Sequence, residues 1–388
     1  MLKVQARKNI AILGSTGSIG INTLKVIKRY PDRFRVVGLT ALNNVKLLET
    51  QIKIFSPSYA AVGEQGLAYL KKYIDAKKTK ILEVNSGITR IASLKEVDVV
   101  VIGIRGSAAL DPFLTAVRLG KTIAPANKEA LVIAGDILMR EAKKANAQII
   151  PIDSEQSAIF QCLEGRNRSH LKKVYLTASG GPLLKIPAGR FDNLSREQIL
   201  NHPRWDMGKK ITVDSATLMN KGFEIMEARH LFDLNVDQIE VIIHPEAVIH
   251  SMVELMDGSV IAQLGVPDMR LPIQYALTYP ERLESGLKEI NFLGIKRLNF
   301  KKPDYDKFPC LRLAIDVAKR GGTLPSVLNA ADEEAVEAFL NKKISFTKIF
   351  KIVERVLEKH KTKKDPSIPE ILAGDQWARE ESRRLIFN

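Results

Sequence analysis

Ile10-Ala-Ile-Leu-Gly14-Ser-Thr-Gly17-Ser-Ile-Gly20-Ile-Asn-Thr-Leu24 decides how the first part of the chain folds. An apolar run stops at a glycine turn and an amphipathic stretch begins at once, the order strand, turn, helix. Gly14, Gly17 and Gly20 permit a tight turn and close backbone approach. The free N–H groups and positive dipole end of the following helix favour a pyrophosphate. The spacing is GxxGxxG and not GxGxxG. A glycine turn alone is common, but its N-terminal position and the alternation behind it predict dinucleotide binding.

The segment Gly38-Leu-Thr-Ala-Leu-Asn-Asn44 ends the second expected strand. An NAD site places a carboxylate there for the ribose 2′-hydroxyl. None is present, and Thr40, Asn43, Asn44 and Lys46 can donate hydrogen bonds, so NADP is favoured. Strands are expected at 10–13, 34–40, 59–62, 97–102, 122–124 and 148–152, with amphipathic stretches between them, as a parallel sheet with crossover helices requires. From residue 151 the rhythm changes to strands at 173–177, 239–243 and 260–263 among long polar loops. In 345–361, Phe346, Ile349, Phe350, Val353, Val356 and Leu357 recur at three- and four-residue steps, one helical stripe. Gly321-Gly322 suits a helix end and Ser367-Ile-Pro-Glu370 a capping box. The fold class expected is α/β: a Rossmann-like doubly wound parallel sheet (1–150), a central α+β catalytic domain (151–285) with a flap at 199–209, a connector (286–309) and a C-terminal helical bundle (310–388).

The net charge is +15. Residues 1–150 hold 24 basic and 11 acidic side chains (+13), 151–300 hold 17 and 19 (−2), and 301–388 hold 18 and 14 (+4). The basic residues are dispersed through the first segment without aromatic interleaving, which argues against nucleic acid. Lys71 to Lys80 reads as a solvated helix face and turn. No apolar run reaches the roughly 20 residues that cross a bilayer, and the short N-terminus before Gly14 leaves no room for a targeting segment. The two cysteines, Cys162 and Cys310, cannot form a disulfide framework, which fits a cytoplasmic protein.

Chemistry-bearing residues cluster in three places. Asp153-Ser154-Glu155 follows an expected strand, and on extended backbone both carboxylates share a face where a parallel sheet opens to ligands. A hard divalent cation would relieve their repulsion, with a third oxygen ligand from elsewhere. The stretch from His202 to Glu224 holds one of six histidines and one of two tryptophans in a polar setting, which reads as a mobile cover. Within it Ser215, Asn220 and Lys221 suit a phosphate and Glu224 could supply the missing carboxylate. Lys209-Lys210 reads as flap-edge charge near the cofactor or as solvated. The loop Thr177-Ala-Ser-Gly-Gly-Pro182 adds an anion nest around Ser179. His244 and His250 read as structural, and His170, His230 and His360 as surface or helix-end residues.

Together these pieces, with Ala126-Asn-Lys-Glu129, Asp214-Ser-Ala-Thr217, Met219-Asn-Lys-Gly222, Ile243-His-Pro245, His250-Ser-Met252 and Gln263-Leu-Gly265, closely resemble the 1-deoxy-D-xylulose 5-phosphate reductoisomerase family over nearly the whole chain. The resemblance implies an NADPH-dependent isomerisation and reduction of 1-deoxy-D-xylulose 5-phosphate (DXP) to 2-C-methyl-D-erythritol 4-phosphate. It implies Mg²⁺ or Mn²⁺, with Co²⁺ as a further option, on Asp153, Glu155 and Glu224, and a homodimer. Ser179, His202, Ser215, Asn220 and Lys221 would hold the substrate phosphate, Ser154 and Lys128 the carbon chain, and Trp205 and Met207 would close over it. Gly14, Thr16, Gly17, Ser18, Ile19 and Gly20 would meet the pyrophosphate, Asn127 and Glu129 the nicotinamide side, and Gly208 the cofactor on closure. Leu42-Asn43-Asn44 stands where family members often carry a Gly-Lys-Asn-type turn, so the 2′-phosphate contacts differ there. Two other readings compete: a semialdehyde-dehydrogenase-like enzyme with Cys162 as nucleophile, and a basic nucleic-acid-binding protein on a Rossmann shell.

Overall fold

The computed structural model describes residues 7–205 and 207–387. Asp206 within the flap, Asn388, and residues 1–6 of the segment read for targeting lie outside them. The chain divides into two compact units, Met1–Ala130 with Asp136–Ser157 and Asp268–Lys288, and Leu131–Gly135 with Ala158–Pro267 and Glu289–Asn388.

The first unit is built on β1 (Lys8–Leu13), β2 (Phe34–Ala41), β3 (Tyr59–Val62), β4 (Lys80–Glu83), β5 (Val99–Ile102), β6 (Thr122–Pro125) and β7 (Gln148–Ile149). Among the described residues they form one parallel sheet in the order β4-β3-β2-β1-β5-β6-β7. The order reverses beside β1, and a parallel sheet takes its ligand at the carboxyl ends of strands flanking such a switch. Val99-Val-Val-Ile102 is buried throughout, as a central strand covered on both faces must be. β4 was not foreseen: its four residues are charged at both ends and lie at the sheet edge, so they show no apolar run. Lys71 and Lys72 fall in the last turn of the helix Glu64–Tyr73, where cations suit the dipole, and Lys80 opens β4. The helix Arg270–Thr278 also belongs here: Lys8 Nζ donates to Leu277 O and Tyr279 O at 3.0 and 3.1 Å.

The second unit holds β8 (Leu171–Ala178), β9 (Ile239–Ile243), β10 (Ile249–Leu255) and β11 (Val260–Leu264), ordered β11-β10-β8-β9 with β8 and β9 parallel and the other pairs antiparallel. The helices Pro309–Arg320, Leu324–Leu340, Phe346–Lys359 and Ile368–Phe387 form the expected C-terminal helical part. The stripe over 345–361 is buried at Phe346, Ile349, Ile352, Val353, Val356 and Leu357. Gly321 ends its helix at φ 64°, and Ser367 N–H donates to Glu370 at 2.8 Å. The long loops expected after residue 151 are partly helix. Met219–Phe232 is buried almost all round, so it has no one-sided apolar stripe to read.

Candidate active site

In the first unit the glycine turn is held from beneath. Gly14 N–H donates to Thr40 Oγ1 at 2.9 Å and Ser15 N–H to Thr40 O at 2.8 Å. Thr40 is fully buried, so it supports the loop and does not face a nucleotide as its position in sequence suggested. Gln51 completes the support, its Nε2 donating to Ser15 O at 2.8 Å. A buried polar residue on the inner face of the helix Val45–Phe55 was the signal for it. A Cβ at Gly20 would lie 2.3 Å from Ser15 Cα, and one at Gly14, whose φ is +88°, 2.9 Å from the Gly103 backbone. Gly17 meets nothing closer than 3.5 Å, so its service is the open backbone at the start of the helix Ser18–Arg29. Leu42, Asn43 and Asn44 are exposed, and Asn44 Oδ1 accepts from Leu47 N–H as a helix cap.

Asn127 is spent on the backbone: its Nδ2 donates to Ile104 O at 2.8 Å and its Oδ1 accepts from Ala130 N–H at 2.8 Å. The neighbouring Lys128 is buried with Nζ 3.0 Å from Asp153 Oδ2. The extended-strand argument for Asp153 and Glu155 is corrected, because β7 ends at Ile149 and a helix, Ser154–Leu163, starts between them. Asp153 Oδ1 accepts from Glu155 N–H at 3.1 Å and Gln156 N–H at 3.4 Å, capping that helix. Glu155 sits in its first turn, where the dipole favours a carboxylate. Ser154 Oγ donates to Glu155 Oε2 at 2.8 Å, and the two carboxylates keep oxygens within 4.8 Å of each other. Helix capping thus brings together what strand alternation was expected to.

In the second unit the Ser179 loop, the flap and two helices carry the residues expected to meet a phosphate. Gly180 and Gly181 have φ of 84° and 68°, and a Cβ at Gly181 would lie 2.4 Å from Ser215 O. The glycine therefore lets the Ser179 loop lie against the helix Lys209–Thr217, which carries Ser215. Ser179 Oγ is 3.1 Å from His202 Nε2, while His202 Nδ1 accepts from Trp205 N–H at 2.9 Å and Arg204 N–H at 3.2 Å. Burial lowers the His202 pKa to about 4. Trp205 and Met207 are half-buried on the flap, with the Trp205 ring 6.3 Å from that of His250. Of the stretch expected to form a mobile cover, the described residues of 201–208 lie outside helix, while 209–224 belong to two helices joined at Leu218. On Met219–Phe232, Lys221 Nζ meets Glu224 Oε2, and Asn220 Nδ2 donates to Glu224 Oε1 at 2.6 Å. One helical turn thus places an amide, a buried cation and a buried carboxylate side by side.

Cys162 is buried and its thiol is pushed up to about 11 by desolvation, the opposite of an activated nucleophile. His244 is fully buried and stacked on Phe300 at 5.1 Å, with Nδ1 3.0 Å from Asn299 O, a structural role. His230 lies in the last turn of its helix as expected but is buried, with its ring packed where a Cβ on Gly135 would fall.

Three family models match in order. "1-deoxy-D-xylulose 5-phosphate reductoisomerase" covers residues 10–135, its C-terminal domain 149–232, and the "DXP reductoisomerase C-terminal domain" 264–381. The 1-deoxy-D-xylulose 5-phosphate reductoisomerase of Thermodesulfovibrio yellowstonii is 48% identical over 380 residues, covering 98% of this chain and 99% of that protein. That of Caldanaerobacter subterraneus subsp. tengcongensis is 49% identical over 379 residues, covering 97% and 99%. A DOX-P reductoisomerase solved with NADPH, fosmidomycin and magnesium superposes with a TM-score of 0.92 at 42% identity, covering 98% of each chain. The Zymomonas mobilis enzyme solved with NADPH gives 0.92 at 39% identity, covering 98% of this chain and 99% of that one. With full-length relatives at this identity, the chain belongs to the 1-deoxy-D-xylulose 5-phosphate reductoisomerase family.

Proposed function

We propose that this chain converts DXP to 2-C-methyl-D-erythritol 4-phosphate, using NADPH and a divalent cation, in the non-mevalonate isoprenoid pathway. The observation that carries the reading is its full-length match to a reductoisomerase solved with NADPH, fosmidomycin and magnesium. The candidate metal set, Asp153, Glu155 and Glu224, offers only carboxylate oxygens, the donors a hard cation such as Mg²⁺ takes. When bound, the cation would polarise the substrate's carbonyl and hydroxyl oxygens, and NADPH would supply the hydride that reduces the aldehyde left by the retro-aldol and aldol steps.

The protein's own groups divide the remaining work. Lys128, buried in an ion pair with Asp153, orients that carboxylate and lies beside the bound carbon chain with Ser154. Ser179, Ser215, Asn220 and Lys221 receive the phosphate, and His202 donates from Nε2. Trp205 and Met207 cover the substrate, keeping water from the aldehyde between the two steps. The Gly14 to Gly20 loop binds the pyrophosphate, Asn127 and Glu129 flank the nicotinamide, Gly208 meets the cofactor, and exposed Leu42, Asn43 and Asn44 border the 2′-phosphate.

Among the described residues no helix is long and apolar enough to cross a membrane. Two free, buried cysteines support a reducing, cytoplasmic setting. Exposed Met256 and Val260, on the hairpin that carries edge strand β11, support pairing with a second copy. Sedimentation analysis reads that state directly. The activity is tested by following NADPH oxidation at 340 nm with DXP, with and without EDTA. Oxidation that requires DXP, stops with EDTA and returns with Mg²⁺ is expected; folded protein without it overturns the reading.

A further inference from the structure

The helix Lys209–Thr217 starts badly by its own chemistry. Its N-cap is Gly208 with no side-chain cap, its first turn has no acid, and two lysines stand at the positive end of the dipole. Yet this turn joins the flap to the helix that carries Ser215. Something beyond local propensity must hold it. Lys210 Nζ lies 2.6 Å from Asp214 Oδ2, one turn along the same helix, and 2.9 Å from Asp332 Oδ2 on the helix Leu324–Leu340. It also sits 4.8 Å from the centre of the Phe223 ring. Asp332 is fully buried, and among the described residues it meets no other cation. Neither of its oxygens has a hydrogen-bond partner of good geometry there, so Lys210 meets Oδ2 as a charge contact. Two carboxylates from two helices thus fix one ammonium at the point where the flap ends.

We propose that Lys210 is a positioning residue: by pairing with Asp214 and Asp332 it stops the flap at Gly208 and ties its end to the C-terminal helices, so that closure moves His202 to Met207 and leaves Ser215 in place. The proposal rests on the reading of 199–209 as a substrate-closing flap. A buried ion pair often gives no net stability over a well-packed apolar pair, so its retention at a hinge is explained by the geometry it imposes. Without it, His202 and Ser215 no longer meet one phosphate in register, and uniform binding is lost before chemistry.

The test compares Lys210→Met, Lys210→Arg, Asp332→Asn and the double variant Lys210→Met/Asp332→Leu, reading melting temperature, KM and kcat for DXP, and the rate of chymotryptic cleavage after Trp205 in the free protein. Lys210→Met and Asp332→Asn should raise KM for DXP about tenfold with kcat changed by less than about threefold, and Lys210→Arg should recover most of that loss. The double variant should melt near the wild type yet keep the raised KM and faster cleavage after Trp205. A double variant that regains wild-type KM and cleavage overturns the proposal, because the lysine then only balances charge. A double variant that fails to fold, or folded Lys210→Met with unchanged KM and cleavage, overturns it too. Absence of DXP-dependent turnover in the wild type would instead sink the functional reading, while the cleavage comparison, needing no substrate, still reports on the hinge.

Discussion

His202 shows how the backbone sets a side chain's chemistry. With Nδ1 accepting from the N–H groups of Trp205 and Arg204, the ring proton belongs on Nε2, 3.1 Å from Ser179 Oγ in the proposed phosphate site. A pKa near 4 keeps the free enzyme's imidazole neutral at pH 7. A bound phosphate dianion favours the charged form, so DXP binding near pH 5.5 should take up protons, read by calorimetry in buffers of different ionisation enthalpy. A His202→Asn variant should lose the uptake. Folding follows the same sign: between pH 6.5 and 4 the unfolded chain protonates this residue and the folded one does not, so its contribution to stability falls as pH drops through that window. Cys162 gives the opposite lesson, because burial disfavours the thiolate that a nucleophile needs. Cys162→Ala should keep kcat/KM within about twofold while costing about 1 kcal/mol or less of stability. Residues proposed to act through their own side chains, such as His202 and Lys221, could be singled out from the sequence by type and setting. Thr40 was not, because a threonine at a strand end reads the same whether its hydroxyl faces a ligand or props a loop.

At the scale of elements, turn chemistry does much of the positioning. Gly181 must hold φ of 68° with its α-carbon pressed toward Ser215 O, so Gly181→Ala both strains the backbone and pushes the Ser179 loop off the helix behind it. We expect a rise of about tenfold or more in KM for DXP with KM for NADPH little changed, measured by steady-state kinetics. The Ser-Gly-Gly sequence advertised this turn openly. The pair Asp153 and Glu155 was found by type and spacing but for the wrong geometric reason: alternation along a strand and capping of a helix both bring them together, and an apolar run before Asp153 does not reveal where the strand stops. Met219–Phe232 was hidden for a different reason, since a helix buried on every side, with Lys221 and Glu224 neutralising each other inside, has no polar face to mark its period.

Across the whole molecule, the strand and helix alternation of residues 1–150 made the parallel sheet legible, and the stripe at 345–361 did the same for the helical end. The charge split stands out at this scale. An excess of +13 is dispersed over residues 1–150, the part proposed above to bind an anionic dinucleotide, where it would raise the local concentration of NADPH. Raising salt from about 0.05 to 0.3 M should increase KM for NADPH severalfold as that attraction is screened, with kcat nearly unchanged; stopped-flow binding would place the change in the on-rate. Less legible was the membership of Asp268–Lys288, because local periodicity marks a helix without saying which sheet it covers. Its place has a bearing on biogenesis. Lys8, at the start of β1, anchors to the carbonyls of Leu277 and Tyr279. β1 therefore lacks these two anchors until a segment about 270 residues further along the chain has been made, so its packing is completed late in synthesis.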